Sequence, residues 1–84
     1  MNKIEMFSKA DCVYCVRAKA LFDQKELEFV TYNVNEEEHF EEMRRRAPEA
    51  RTVPQIFIGG ELVGGFTDLD ALEQSGDLDK MLEH

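Results

Sequence analysis

KIEMFSKADCVYCVRAKALFDQ, residues 3–24, sets a short strand, a polar loop and a helix in succession, with both cysteines of the chain at the junction. Ile4 and Met6 alternate with Lys3 and Glu5, the period of a strand. Residues 8–11 are polar apart from Ala10, and Ser8 or Asp11 is placed to cap the helix that follows. From Cys12 to about Gln24, Cys15, Val16, Ala18, Ala20, Leu21 and Phe22 are interleaved with Arg17, Lys19 and Asp23. That stretch is amphipathic and rich in good helix formers. Cys12 therefore falls at the helix start and Cys15 one turn in.

Outward from this unit, EFVTYNV (28–34) is β-branched and aromatic and reads as a second strand. NEEEHFEEMRRRAP (35–48) reads as a helix, with acids in its first turns and Arg44, Arg45 and Arg46 in its last, matching the helix dipole. Asn35 is the expected cap, Pro48 the stop, Phe40 and Met43 the buried stripe, and Glu36 to Glu42 a solvated acidic face. PQIFI (54–58), Gly59-Gly60-Glu61 and LVGG (62–65) form a hairpin. TDLDALEQSG (67–76) predicts a helix capped by Thr67, with Asp70 in the capping-box position and Gly76 as its end. DLDKML (77–82) adds a last helical turn. The order β-α-β-α-β-β-α gives an α/β fold: one mixed four-stranded sheet flanked by helices, with a parallel pair from the first βαβ unit.

Eighty-four residues suit one small domain spanning 1–84. The final Leu82-Glu83-His84 reads either as native chain or as the remnant of an expression tag, and no functional argument is placed on it. Apolar runs are only a few residues long, and the first dozen residues hold no apolar signal-peptide core. A cytoplasmic setting is therefore expected, where structural disulfides are rare. The net charge of −8 argues against nucleic acid and anionic membrane as partners, since both would repel it. A monomer is expected.

Position decides how the cysteines are read. At a helix N-terminus, free backbone N–H groups and the positive dipole end stabilise a thiolate, and Lys9 and Arg17 add positive charge. Cys15, a turn later, is close enough to attack a mixed disulfide formed on Cys12, which is the machinery of thiol–disulfide exchange. Three other readings compete. A zinc site needs about four ligands, and only His39, in an acidic helix, and His84 stand beside the two cysteines. A structural disulfide would close a very short loop and constrain little of the unfolded chain. Two inert buried thiols fit poorly with Cys12 at a loop-to-helix junction.

In the second half, Pro54 opens the third strand, where a missing backbone donor is tolerated. Thr52-Val53-Pro54 is either a plain strand opener or a cis-proline loop whose Val53 backbone pairs with an extended thiol substrate. Gly64-Gly65-Phe66-Thr67-Asp68 is a glycine turn into a helix, either a simple exit and cap or a carboxylate cradle with Asp68 beside an ammonium group.

Together Lys9-Ala10-Asp11-Cys12-Val13-Tyr14-Cys15, Thr52-Val53-Pro54-Gln55-Ile56-Phe57-Ile58 and Gly64-Gly65-Phe66-Thr67-Asp68-Leu69 resemble the glutaredoxin family over nearly the whole chain. The resemblance implies a thioredoxin-like fold and reduction of disulfides with electrons from glutathione. It implies that Cys12 is the nucleophile and Cys15 the resolving thiol. Lys9 and Arg51 would meet the glycine carboxylate of glutathione, Tyr14 would border its cysteine, and Thr52, Val53 and Pro54 would line its backbone. Gly65, Thr67 and Asp68 would take the γ-glutamyl end. Substrates would be disulfide-bonded or glutathionylated proteins, with ribonucleotide reductase a candidate partner.

Val13 departs from the family's common Cys-Pro-Tyr-Cys. Valine restores a backbone N–H and frees φ at the helix start, which bears on the redox potential. Members without that proline include carriers of a [2Fe–2S] cluster bridged between two subunits. Other members with valine here are recharged by thioredoxin reductase and feed ribonucleotide reductase, but they usually lack the Gly-Gly-x-Thr-Asp pocket. A non-catalytic interaction module is the remaining alternative, and the intact cysteine pair weighs against it.

Overall fold

Alternation in the strands and amphipathicity in the helices organise the computed structural model, which describes residues 2–83. The elements are β1 (Ile4–Ser8), α1 (Val13–Gln24), β2 (Val30–Asn33), α2 (Glu37–Arg46), β3 (Gln55–Ile58), β4 (Glu61–Gly64), α3 (Phe66–Ser75) and α4 (Asp77–Leu82). The sheet order is β2-β1-β3-β4, with β1 parallel to β2 and antiparallel to β3, and β3 antiparallel to β4. This is the mixed four-stranded sheet predicted from the sequence.

Successive residues of a strand face opposite sides, so the sheet builds two cores. On one side Ile4, Met6, Ile56 and Ile58 meet Ala18 and Phe22 of α1, Leu69 of α3, and Leu78 and Leu82 of α4. On the other, Phe7 and Phe57 pack with Val34, Met43 and Ala47 under α2, flanked by Tyr32, Ala50 and Val53. Leu82 is 5% exposed and belongs to the first core; His84 lies outside the described residues. No helix among the described residues is long and apolar enough to cross a membrane.

Several boundaries differ from expectation for local reasons. Cys12 itself caps α1, its sulphur accepting the Cys15 N–H, while Ser8 is buried in β1 and Asp11 is exposed. Asn35 does not cap α2. Its N–H donates to the Asn33 side chain in a turn that carries the chain to Glu36, the residue before the helix. Gly65, not Thr67, precedes α3, so Asp68 rather than Asp70 stands three residues on, and its carboxylate accepts the Gly65 N–H at 3.1 Å. Phe40 is 41% exposed because α2 meets the sheet with Met43, Arg46 and Ala47, and Arg44 lies over the Phe40 ring instead.

Arg46 closes the second core. Its guanidinium lies 4.2 Å from the Phe57 ring centre and donates to both Glu5 oxygens at 2.9 and 3.0 Å. The fork matches the carboxylate while its flat face covers the ring. Tyr32 also donates to Glu5, at 3.0 Å. The Arg46 hydrogen bonds hold the Glu5 carboxyl below the usual carboxylate range, against the opposing effect of burial.

Two outcomes follow for stability. Arg46→Ala should cost about 2 kcal/mol in urea unfolding, since it removes packing and strands a mostly buried carboxylate, and Arg46→Lys should recover only part. Because Glu5 titrates lower when folded than unfolded, its contribution is complete above its ordinary pKa of 4.5 and is lost as the pH falls through the depressed value. Glu5→Gln should therefore flatten the acid limb of a stability–pH curve, and an unchanged limb would contradict this role for Glu5.

Candidate active site

Cys12 leaves the end of β1 through a four-residue loop and starts α1 in an extended conformation (φ −108°, ψ 114°). Its carbonyl accepts the Val16 N–H at 3.1 Å, and its sulphur accepts the Cys15 N–H at 3.2 Å. The sulphur thus sits at the positive end of a helix with a backbone donor aimed at it. Cys15 has the opposite environment. It is fully buried, and burial together with the hydrogen bond to Cys12 pushes its thiol up to about 11, against a weaker opposing influence from the Lys9 backbone. The chain thus presents one partly exposed thiol with a second, protonated one beneath it; both are free.

The other two motifs converge on this thiol. The Val53–Pro54 peptide is cis, and the Val53 carbonyl accepts from the Cys12 Sγ at 3.5 Å. Gln55 donates to the Thr52 carbonyl at 2.9 Å and ties down the loop between them. A side chain at Gly65 would come within 3.6 Å of the Pro54 carbonyl, so the glycine turn lies against the proline loop. Gly64 has φ +118°, and any β-carbon there would strike the Asp68 carboxylate. Gly64 therefore serves a close approach that a larger residue would block, whereas a β-carbon at Gly65 would make only ordinary contact with the proline loop.

Of the predicted residues, Cys12, Val53, Pro54 and Gly65 meet directly. Tyr14 stands beside them, 53% exposed and stacked on Phe66 with ring centres 6.1 Å apart. Thr67 and Asp68 follow Phe66 in the first turn of α3, both exposed. Lys9 and Thr52 are exposed on the two loops that flank Cys12. Arg51 lines a shallow recess with Phe40, Met43, Arg44, Pro48 and Ala50, adjoining the proline loop. Arg17 is not turned toward the thiol: it lies over the Tyr14 ring, 5.5 Å from its centre. Phe66 was read only as part of a turn; its contact with Tyr14 depends on how α3 returns past α1, for which local sequence holds no signal.

The site is an open surface. A recess of about 930 Å³ is lined by Lys3, Asp23, Glu26, Phe29 and their neighbours at the other end of the sheet, away from both cysteines. No cluster of three or more His, Cys, Asp or Glu side chains is placed to hold a metal among the described residues. With Cys15 buried, Cys12 carries the one accessible cysteine sulphur.

This arrangement of a capping thiol, a cis-proline loop and a glycine turn has relatives. The family model for glutaredoxin matches residues 4–63. The chain belongs to the glutaredoxin family. It is 42% identical over 87 residues to glutaredoxin 1 of Rickettsia prowazekii (strain Madrid E), covering 100% of this chain and 90% of that one. It is 40% identical over 84 residues to glutaredoxin 3 of Escherichia coli (strain K12), covering 99% and 100%. Among solved structures, a buckwheat glutaredoxin–glutathione complex is similar with a TM-score of 0.85 at 34% identity, covering 98% of this chain and 77% of that one. The solution structure of glutaredoxin from Brucella melitensis gives 0.81 at 42% identity, covering 98% and 89%. Glutaredoxins are thiol–disulfide oxidoreductases, and the proximity of Cys12 and Cys15 fits a redox-active centre.

Exposure and protonation together predict selective alkylation. Iodoacetamide at neutral pH should modify the reduced native protein once, at Cys12, as read by peptide mass spectrometry. Cys15 should react only on unfolding or as the pH approaches 11. Comparable labelling of both thiols at pH 7 would contradict the buried, protonated assignment.

Proposed function

We propose that the chain reduces protein disulfides and glutathione mixed disulfides with electrons from glutathione, with Cys12 as nucleophile and Cys15 as resolving thiol. The observation that carries this reading is the contact of the Cys12 sulphur with the Val53 carbonyl beside the cis-proline, with Cys15 buried one turn behind. The similarity to a glutaredoxin bound to glutathione supports the choice of reductant.

The Cys12 thiolate attacks the glutathione sulphur of a mixed disulfide, forming a Cys12–glutathione disulfide and releasing the target cysteine as thiolate. A second glutathione thiolate attacks that bond, giving glutathione disulfide and restoring the Cys12 thiolate. With a protein disulfide, Cys12 forms the mixed disulfide and releases one target thiolate. Cys15 then loses its proton and attacks Cys12, leaving a Cys12–Cys15 disulfide and a reduced target. Two glutathiones reduce that bridge. Burial holds the Cys15 thiol high and out of reach of solvent, so the partly exposed Cys12 makes the first attack.

The glutathione pocket follows the same geometry. The Val53 backbone, whose carbonyl meets the Cys12 sulphur, pairs with the peptide of glutathione, with Thr52 and Pro54 fixing that loop. Tyr14 borders the cysteine, and Lys9 and Arg51 receive the glycine carboxylate. Gly65, Thr67 and Asp68 receive the γ-glutamyl group at the α3 N-terminus. Asp68 bonds the Gly65 N–H through one oxygen, Oδ2, which leaves Oδ1 for the ammonium group. The protein acts as a cytoplasmic monomer on disulfide-bonded and glutathionylated proteins, ribonucleotide reductase among the candidates.

The direct test is turnover of a small glutathione mixed disulfide coupled to glutathione reductase, beside a thioredoxin-reductase arm. Activity should require glutathione and glutathione reductase. Recharging by thioredoxin reductase alone would replace this reading with the other redoxin class. Cys12→Ser should abolish turnover of every substrate, whereas Cys15→Ser should keep deglutathionylation and lose most reduction of protein disulfides; full activity in Cys12→Ser would sink the assignment. Asp68→Asn keeps an acceptor for Gly65 but removes the charge. It should raise the glutathione KM about tenfold, the weight of one charge-assisted hydrogen bond, with little change in Tm.

A further inference from the structure

The molecule's charge is unevenly divided between the segments that build the site and the rest of the chain. The segments that build the site, 8–20, 50–55 and 64–69, carry Lys9, Arg17, Lys19 and Arg51 against Asp11 and Asp68, a net charge of +2. The rest of the chain carries −10. Among the described residues, none of those four cations has a carboxylate within 4.0 Å, whereas Lys25, Arg45, Arg46 and Lys80 are each held by one.

The same segments carry an unpartnered apolar strip. Val13, Val16 and Tyr14 are 64%, 59% and 53% exposed, more than any other large hydrophobic residue described. Val13, Val16 and Arg17 are spaced i, i+3, i+4 and share one helix face beginning next to the reactive thiol. Arg17 is exposed, lies over the Tyr14 ring 5.5 Å from its centre, and has no carboxylate partner among the described residues, so its fork is available to a carboxylate. Of the residues assigned above to glutathione, Tyr14 borders this strip, while Val53 and the α3 N-terminus are on other elements and leave Val13, Val16 and Arg17 uncovered.

We propose that the Val13–Val16–Arg17 face docks the protein half of the substrate, and that it fits an extended acidic segment flanking the target cysteine. Aliphatic side chains of the segment rest on Val13 and Val16, and a carboxylate pairs with Arg17. Arg17 is five residue steps along the helix from Cys12, about 7.5 Å along the axis, so the acidic residue falls about two extended residues from the substrate cysteine. The anionic remainder of the protein repels an acidic partner docked in any other orientation, which favours this one. The inference rests on Cys12 being the attacking thiol.

The test uses two peptides carrying a cysteine–glutathione mixed disulfide, one with Glu and one with Lys two residues from the cysteine. The glutathione mixed disulfide of 2-mercaptoethanol, which has no flanking chain, is the control. The wild-type chain should turn over the Glu peptide with a kcat/KM about tenfold above the Lys peptide at low salt, the gap closing as salt is raised. Arg17→Glu should reverse that order, and Val16→Ser should slow both peptides, while both variants keep control turnover within about twofold of wild type. Equal use of the two peptides by the wild-type chain, or a loss in Arg17→Glu that is the same for peptides and control, would overturn the docking surface. A wild-type chain inert toward the control would overturn the underlying oxidoreductase reading and the docking surface with it.

Discussion

The antiparallel pairing of β1 with β3 is the constraint on which the site depends. Its register sets Phe7 opposite Gln55 and Ile4 opposite Ile58. The loop leaving β1 toward Cys12 and the loop entering β3 through Pro54 therefore emerge at one edge of the sheet, and residues 41 apart in sequence meet. The same register puts Met6 and Ile56 into one core and Phe7 and Phe57 into the other. A slip by one residue would exchange those faces, so burial on both sides holds the two loops in place. The crevice at the carboxyl ends of β1 and β2, where a helix begins, is where open α/β sheets usually place chemistry.

Chemical division between the two cysteines comes from their places along one helical turn. Cys12 serves as the N-cap, so its sulphur takes a backbone hydrogen bond while one side faces solvent. Cys15 points into the protein and is fully buried. Identical side chains three residues apart thus become a partly exposed thiol and a buried one. The glycine turn completes the site without enclosing it, which suits a protein whose substrates include other folded chains.

Much of this was legible in the sequence because the strands and helices are short and carry clear periods. Cys12 at a helix start, Pro54 before a strand and Gly64-Gly65 before a helix each have a local signature, and their order carried the family resemblance. Local sequence could not show that Cys12 supplies its own cap, since Ser8 and Asp11 are the commoner capping residues and only the chain path excludes them. Long-range partners were equally hidden. Glu5 looks like the polar half of an alternating strand, and Arg46 like a charge at a helix end. Their pairing over Phe57 depends on α2 crossing the sheet with its last turn. Phe40, spaced to share a stripe with Met43, stays exposed for the same reason.

The central claim is that Cys12, the Val53 loop and the α3 N-terminus form one glutathione site. Solution NMR of Cys15→Ser carrying glutathione in a disulfide with Cys12 tests it most directly. The bound tripeptide should show contacts from its cysteine to Val53 and Tyr14, from its γ-glutamyl group to Thr67 and Asp68, and from its glycine to the Lys9 and Arg51 side. A glutathione moiety that tumbles freely from Cys12, with no contacts to Val53, Thr67 or Asp68, would contradict the account.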